Sequence, residues 1–294
     1  MYLLPAFWQM AKPRIAIMVL VTTTIGFFLG GHGVHAWGVF LATLVGTGLA
    51  AGGAGMLNHF LERDVDARME RTRNRPLPSG LVQPALVMAV GVLLVLGGVT
   101  LLVLAVNLLS GFLVLLTAFL YVVVYTPLKR VTWLNTPIGA IPGALPPLVG
   151  WAAATGELSL AAWLLFAILF AWQHPHFYAI AWMFRADYGQ AGFRMLSVVD
   201  PSGRRLFRQS VLYTGFLILV SAGLWFTHLL GPVYLVGCLV LGAYLLATCL
   251  RFVREGTIAA ARRVLLATVA YLPALLLLIV VDFFLLQPGL PAGP

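Results

Sequence analysis

The sequence predicts an all-α integral membrane protein, nine transmembrane helices in a bundle. Three observations carry that class. Mean hydropathy is +0.99, with 61% apolar and only 9% charged residues, too few polar groups to cover a water-soluble surface. Apolar runs of about 20 residues, the thickness of a bilayer core, follow one another along most of the chain. The runs are continuous, whereas a membrane β-barrel would alternate residue by residue.

The runs place spans at 15–30, 37–60, 84–106, 109–126, 137–154, 160–183, 209–227, 231–250 and 264–286. The basic residues support that count. Lys12 and Arg14 precede the first span, five arginines (63–75) follow the second, and Lys129 and Arg130 follow the fourth. Five more (185–208) follow the sixth and four (251–263) the eighth. All 18 Lys and Arg therefore fall on one side, which the positive-inside rule makes cytoplasmic. The N-terminus and the long loops are then cytoplasmic and the C-terminus external. The two longest of these loops lie four spans apart, suggesting two halves of four helices and a ninth within a single polytopic domain, 1–294.

The net charge of +9 reports this orientation and not nucleic-acid binding. Cys238 and Cys249 lie on one predicted helix, about 16 Å apart along its axis, too far for a disulfide. The N-terminal stretch shows no cleavable signal and no transit peptide, which favours a prokaryotic inner membrane.

Against this apolar background, NHFLERDVDARMERTRNRPLPSG (58–80) gathers five arginines and four carboxylates. Asn58, Glu62 and Asp66 fall at i, i+4 and i+8, one face of a helix. Asp64 points elsewhere unless the helix ends before it. Two carboxylates on one face repel, so something positive must compensate. Mg²⁺ takes oxygen ligands and shares the rest of its shell with water and phosphate, and guanidinium forks such as those of Arg71, Arg73 and Arg75 match phosphate oxygens. Acid, Mg²⁺ and Arg together can hold a diphosphate and neutralise it as it leaves. The alternative is an interfacial loop whose acids simply pair with its arginines. That reading explains Asn58 and Glu62 poorly, because they sit at the edge of an apolar span.

A second knot, WQHPHFYAIAWMFRADYGQAGFRML (172–196), follows the sixth span. A continuous helix would set His176 and Asp187 on one face, with a kink before Pro175. His174 and His176 lie near membrane depth among Trp172, Phe177, Tyr178 and Trp182. A histidine there is commonly a hydrogen-bonded bundle residue. Imidazole is also the usual protein ligand of heme iron and a ready acid or base.

N-x-x-x-E-x-D-x-D followed by RTRNRPLPSG resembles the first aspartate-rich motif of the UbiA superfamily of intramembrane prenyltransferases. It departs from the common form at His59 and Glu62, where Asp is usual. W-Q-x-P-H-F-x-A-x-A-W…D-Y…A-G-x-x-M-L resembles the second motif of the heme O synthase branch, where quinone-type relatives carry an Asp cluster. YTPLKRVTWLNTPIGAIPGALPPLVGW (125–151) is similar to the intervening segment of that branch. The likeness covers most of residues 10–200.

The resemblance implies a helical bundle around a central cavity open to the cytoplasmic side. It implies farnesyl transfer from farnesyl diphosphate to heme B, with Mg²⁺. Asn58, Glu62, Asp66, Asp187 and His176 would be catalytic; Asn58, Glu62, Asp64, Asp66 and Asp187 would serve the metal. Arg71, Arg75, Lys129 and Arg130 would bind diphosphate, and His176, His174 and Tyr178 heme. Expected partners are the two substrates, the lipid bilayer, and a downstream heme A synthase or terminal-oxidase assembly factor. Two rivals stay open: a prenyltransferase acting on a quinone precursor or chlorophyll-type ring, and a transporter or heme-binding electron carrier.

Overall fold

A computed structural model describes residues 3–286. Every regular element among them is helical. Among the described residues nine helices are long and apolar enough to cross a membrane: Pro13–Gly30, Trp37–Asp66, Pro84–Ala105, Leu108–Leu128, Asn135–Thr155, Leu160–Met183, Arg204–Trp225, Pro232–Glu255 and Ile258–Leu285, spans one to nine. The protein is a multi-pass membrane protein. A short helix, Leu3–Met10, precedes span one.

Local chemistry marks the span ends. Pro84 and Pro232 open spans three and eight, where a missing N–H costs nothing. Asn107 and Ser159 cap spans four and six by accepting from the backbone N–H of Ser110 and Ala162. Gly156 and Gly256 close spans five and eight at φ 80° and 60°, the left-handed cap that glycine adopts without strain.

Four helices outrun the apolar stretches that predicted them. Span two continues to Asp66, span eight to Glu255, and spans seven and nine begin earlier, at Arg204 and Ile258. Hydropathy marks where a helix leaves apolar surroundings; the backbone hydrogen-bond ladder carries it on through polar turns. The extension of span two keeps the acidic motif on a helix.

The chain divides into two compact units, Met1–Leu158 with Ala186–Met195, and Ser159–Arg185 with Leu196–Pro294. The division falls after span five, so the halves hold five and four spans rather than four and four with a ninth. The physical reason lies in span six, which packs against spans seven and nine.

In the first unit, glycine sets the spacing between helices. A Cβ added at Gly53 of span two would come 2.5 Å from the Gly91 carbonyl oxygen of span three, and one at Gly26 of span one 2.0 Å from Pro147 O of span five. Only bare backbones approach so closely, the small-residue contact of membrane helices. In span four a π-helical turn, Leu120–Tyr125, interrupts the α-helix. Such turns are frequent at functional sites.

In the second unit, Asp282 of span nine is buried. Its carboxylate accepts the backbone N–H groups of Gly231 and Tyr234 at the start of span eight. A carboxylate from a neighbouring helix thus satisfies donors that a helix start leaves open.

Candidate active site

The acidic face of span two is built as its spacing predicts. Asn58, Glu62 and Asp66 line its last turns and are 0%, 6% and 1% exposed. A buried carboxylate is tolerated only with a partner, and each of the three polar groups has a different one. Lys12, just ahead of span one, donates to Asn58 Oδ1 and, at 3.1 Å, to the Tyr121 hydroxyl. Lys129, just past span four, donates to Glu62 Oε1 at 2.7 Å. Arg75 donates to Asp66 Oδ2 at 2.7 Å. The connector before span one and those after spans two and four therefore meet at one end of this unit, as the charge partition requires.

The π-helical turn of span four completes this end. Asn58 Nδ2 donates to Thr126 Oγ1 at 2.9 Å, which donates to Tyr121 O at 2.8 Å. The Tyr121 and Tyr125 rings stack with centroids 5.8 Å apart, and Lys129 Nζ sits 4.6 Å from the centre of Tyr125. Burial by itself would lower the pKa of Lys129. Tyr125, Glu62 and Tyr121, with the hydrogen bond to Glu62, outweigh it and hold that pKa above the ordinary lysine value. Lys129 is a permanent cation. His59 is buried beside them, with Nδ1 3.8 Å from Asp66 Oδ2, beyond hydrogen-bond reach, and without a partner among the described residues.

Residues 186–195 join the same unit. Arg194 N–H donates to Lys129 O at 2.7 Å, Asn135 Nδ2 donates to Arg194 O at 3.0 Å, and the Arg71 guanidinium lies 5.5 Å from the centre of the Tyr188 ring.

The second unit carries His174 and His176. The helix of span six runs through Pro175. His174 is fully buried. Its Nδ1 lies 2.7 Å from Phe170 O, its ring stacks on Tyr213 at 3.5 Å, and its Nε2 has no partner among the described residues. His176 is partly exposed, stacks on Trp172 at 5.0 Å, and sets Nδ1 2.9 Å from Thr268 Oγ1 of span nine. Tyr178 is buried, and its hydroxyl donates to Gln209 Oε1 of span seven.

The sequence profile of the UbiA prenyltransferase family matches residues 19–279. The chain belongs to the UbiA prenyltransferase family. A protoheme IX farnesyltransferase from Solibacter usitatus is 45% identical, over 96% of this chain and 98% of its own length. One from Salinibacter ruber is 46% identical, over 94% and 98%. The human mitochondrial protein of that name is 39% identical, over 92% of this chain and 60% of its own. Two solved structures share the fold. A digeranylgeranylglyceryl phosphate synthase superposes with a TM-score of 0.83 at 14% identity, covering 96% of this chain and 99% of that one. A UbiA homologue from Archaeoglobus fulgidus, solved with GPP and Mg²⁺, has a TM-score of 0.65 at 13% identity, covering 94% and 99%.

Within this UbiA fold, Asn58 lies beside Lys12, Glu62 pairs with Lys129 and Asp66 with Arg75, whereas Asp64 and Arg130 lie exposed outside this buried cluster. The Asp64 side chain is 68% exposed and lies beside Arg63, 3.6 Å away. Arg130 is exposed. Asp187 is half-buried on a separate short helix, Arg185–Gln190. The helix carrying His176 ends at Met183, so the single face joining His176 to Asp187 does not form. Arg185 stops it by donating to Trp182 O at 2.8 Å and stacking over the Trp182 ring.

Sequence reasoning missed Lys12, Tyr121, Thr126, Gln209, Tyr213 and Thr268. Lys12 carried a usable signal, since it is one of only two lysines and shares the loop side with Lys129. The others sit in apolar spans with nothing to mark them.

Among the described residues no group of three or more His, Cys, Asp and Glu is gathered to hold a metal by itself. The carboxylates present still fit Mg²⁺, which commonly takes one or two of them and completes its shell with phosphate oxygens and water. Each has one oxygen engaged by a cation, Glu62 by Lys129 and Asp66 by Arg75.

Proposed function

We propose that this membrane prenyltransferase transfers a farnesyl group from farnesyl diphosphate to a vinyl group of heme B, with addition of water, giving heme O and diphosphate. The observation that carries the reading is 39–46% identity with proteins named for that reaction, the first two matching over nearly their whole length.

The geometry supports a chemical route. Mg²⁺, when bound with the substrate, would screen the diphosphate charge against the carboxylates. Glu62 and Asp66, with Asn58 beside them, are the residues that would hold it. Lys12, Lys129 and Arg75 line the same helix face, one beside each of Asn58, Glu62 and Asp66, and their charges favour the anion as it leaves. The allylic C–O bond breaks and its electron pair departs on the diphosphate. The outer carbon of the heme vinyl group bonds to farnesyl C1, and water adds its hydroxyl to the inner carbon and releases a proton. The stacked Tyr121 and Tyr125 rings offer π-faces to a developing allylic cation. His176 is the candidate contact to the heme. His174 and Tyr178, committed to Phe170, Tyr213 and Gln209, are the weaker ones. Arg71 and the 186–195 segment, which holds Asp187, flank this end of the unit. We place it on the cytoplasmic side of a bacterial inner membrane by the distribution of Lys and Arg.

Purified protein incubated with Mg²⁺, farnesyl diphosphate and heme B should release diphosphate and form a heme of the mass of heme O. Conversion of 4-hydroxybenzoate in place of heme would transfer the reading to a quinone-type prenyltransferase. No diphosphate release with either acceptor would remove it.

A further inference from the structure

Thr268 of span nine makes three hydrogen bonds that together decide the state of one histidine. Its hydroxyl donates to Leu265 O, one turn back, at 2.7 Å. A threonine hydroxyl has a single proton, and here it is spent. With that proton directed at Leu265 O, Thr268 Oγ1 stands as the acceptor toward His176 Nδ1, 2.9 Å away. The proton of that contact therefore sits on Nδ1, and a neutral His176 carries its lone pair on Nε2. The backbone oxygen of Thr268 accepts from Trp172 Nε1 at 2.8 Å. Trp172 and His176 are one helical turn apart, and their rings stack at 5.0 Å with planes 25° apart. One residue of span nine thus fixes the orientation of one ring and the tautomer of its neighbour.

His174 makes the contrast. Its Nδ1 faces a carbonyl of its own helix, which also selects the Nδ1–H form, but its Nε2 is sealed in protein. Of the two, His176 joins that tautomer to a partly exposed ring.

We propose that Thr268 is a positioning residue for the reaction, holding His176 in the Nδ1–H form so that Nε2 is the atom that meets the heme iron. This rests on heme being the acceptor. Histidines that bind a metal characteristically give their other ring nitrogen to such a partner, and loss of the partner lowers metal affinity about 10–100-fold.

The test uses the full chain in detergent, with ¹⁵N-labelled histidine and His176→Gln to assign the signal. The shifts of His176 in the wild type should report protonated Nδ1 and bare Nε2. Thr268→Val, which keeps the shape and removes the acceptor, should lose that signature and weaken binding of heme B about 10–100-fold, read from the Soret band. Thr268→Ser should restore both, which a packing role would not predict. Thr268→Ala replaces Thr268→Val if the latter does not fold. An unchanged signature and unchanged heme affinity in Thr268→Val would overturn the proposal, as would His176→Gln that binds heme like the wild type. Failure of the proposed function reads differently: wild-type chain then makes no heme O, while the nitrogen shifts still report the Thr268 bond.

Discussion

The two units bury polar groups by opposite means. The end of span two hides carboxylates and matches them with cations, Lys129 from beyond span four and Arg75 from the loop that follows span two. Span six carries one buried and one partly exposed imidazole and matches them with neutral groups, the Phe170 carbonyl and the Thr268 hydroxyl. The first arrangement is strong but fragile, since removing one partner strands a buried charge. The second is weaker per contact and more forgiving, because a neutral ring that loses a hydrogen bond forfeits only about 1–3 kcal/mol. A charged cluster suits the handling of a diphosphate. A neutral, oriented ring suits contact with a large planar acceptor.

This contrast can be broken by experiment. Lys129→Met should have the largest effect, destabilising the protein by about 3–5 kcal/mol because Glu62 is left buried and unpaired. Adding Glu62→Gln should recover much of that stability, though no activity, in thermal unfolding of the detergent-solubilised chain. If the double variant is no more stable than the single one, charge pairing is not what holds this end together. Asp66→Asn should lower Mg²⁺-dependent diphosphate release about 10²-fold or more, whereas Asp64→Asn, on the exposed side of the helix, should stay within about twofold. Equal losses would mean that the helical face does not sort the two acids.

Smaller effects sharpen the comparison within the second unit. Asp282→Ala leaves the Gly231 and Tyr234 N–H groups without their acceptor and should cost about 1–3 kcal/mol in thermal unfolding. Turnover at permissive temperature should persist, since Asp282 lies about 21 Å along span nine from Thr268, the residue that meets His176. The smallest effect belongs to Asp200, a partly exposed residue. The Ser202 hydroxyl and the Arg205 backbone N–H hold its pKa below the ordinary aspartate value. Its folded-state pKa is depressed, so its contribution is present above the unfolded value of about 4 and fades as pH falls through the folded one. Asp200→Asn should lower the unfolding temperature slightly at pH 7 and not at pH 3. A uniform loss would point to geometry instead of charge.

Legibility differed between the sites for a physical reason. Asn58, Glu62 and Asp66 could be read because a helix has a fixed period, and because ionisable residues stand out against an apolar span. Glu62 was even readable as needing a cation, though which cation was not. Lys12 and Lys129 come from connectors 46 and 67 residues from their partners, and no local rule links them. Thr268 is less legible still, for a threonine in an apolar helix gives no sign of the ring it meets.

From the linear chain alone came the number of spans, the common side of the basic residues, the helical face of acids and the histidine pair. Each follows from hydropathy, charge or period, which act over neighbouring residues. The tertiary structure alone decided that the division falls after span five, that Asp64 and Arg130 are exposed while Glu62 and Asp66 are buried, and that the Thr268 hydroxyl meets His176. Those outcomes depend on which helices meet, and close approach through bare glycine backbones is a property of pairs of segments, not of either segment by itself.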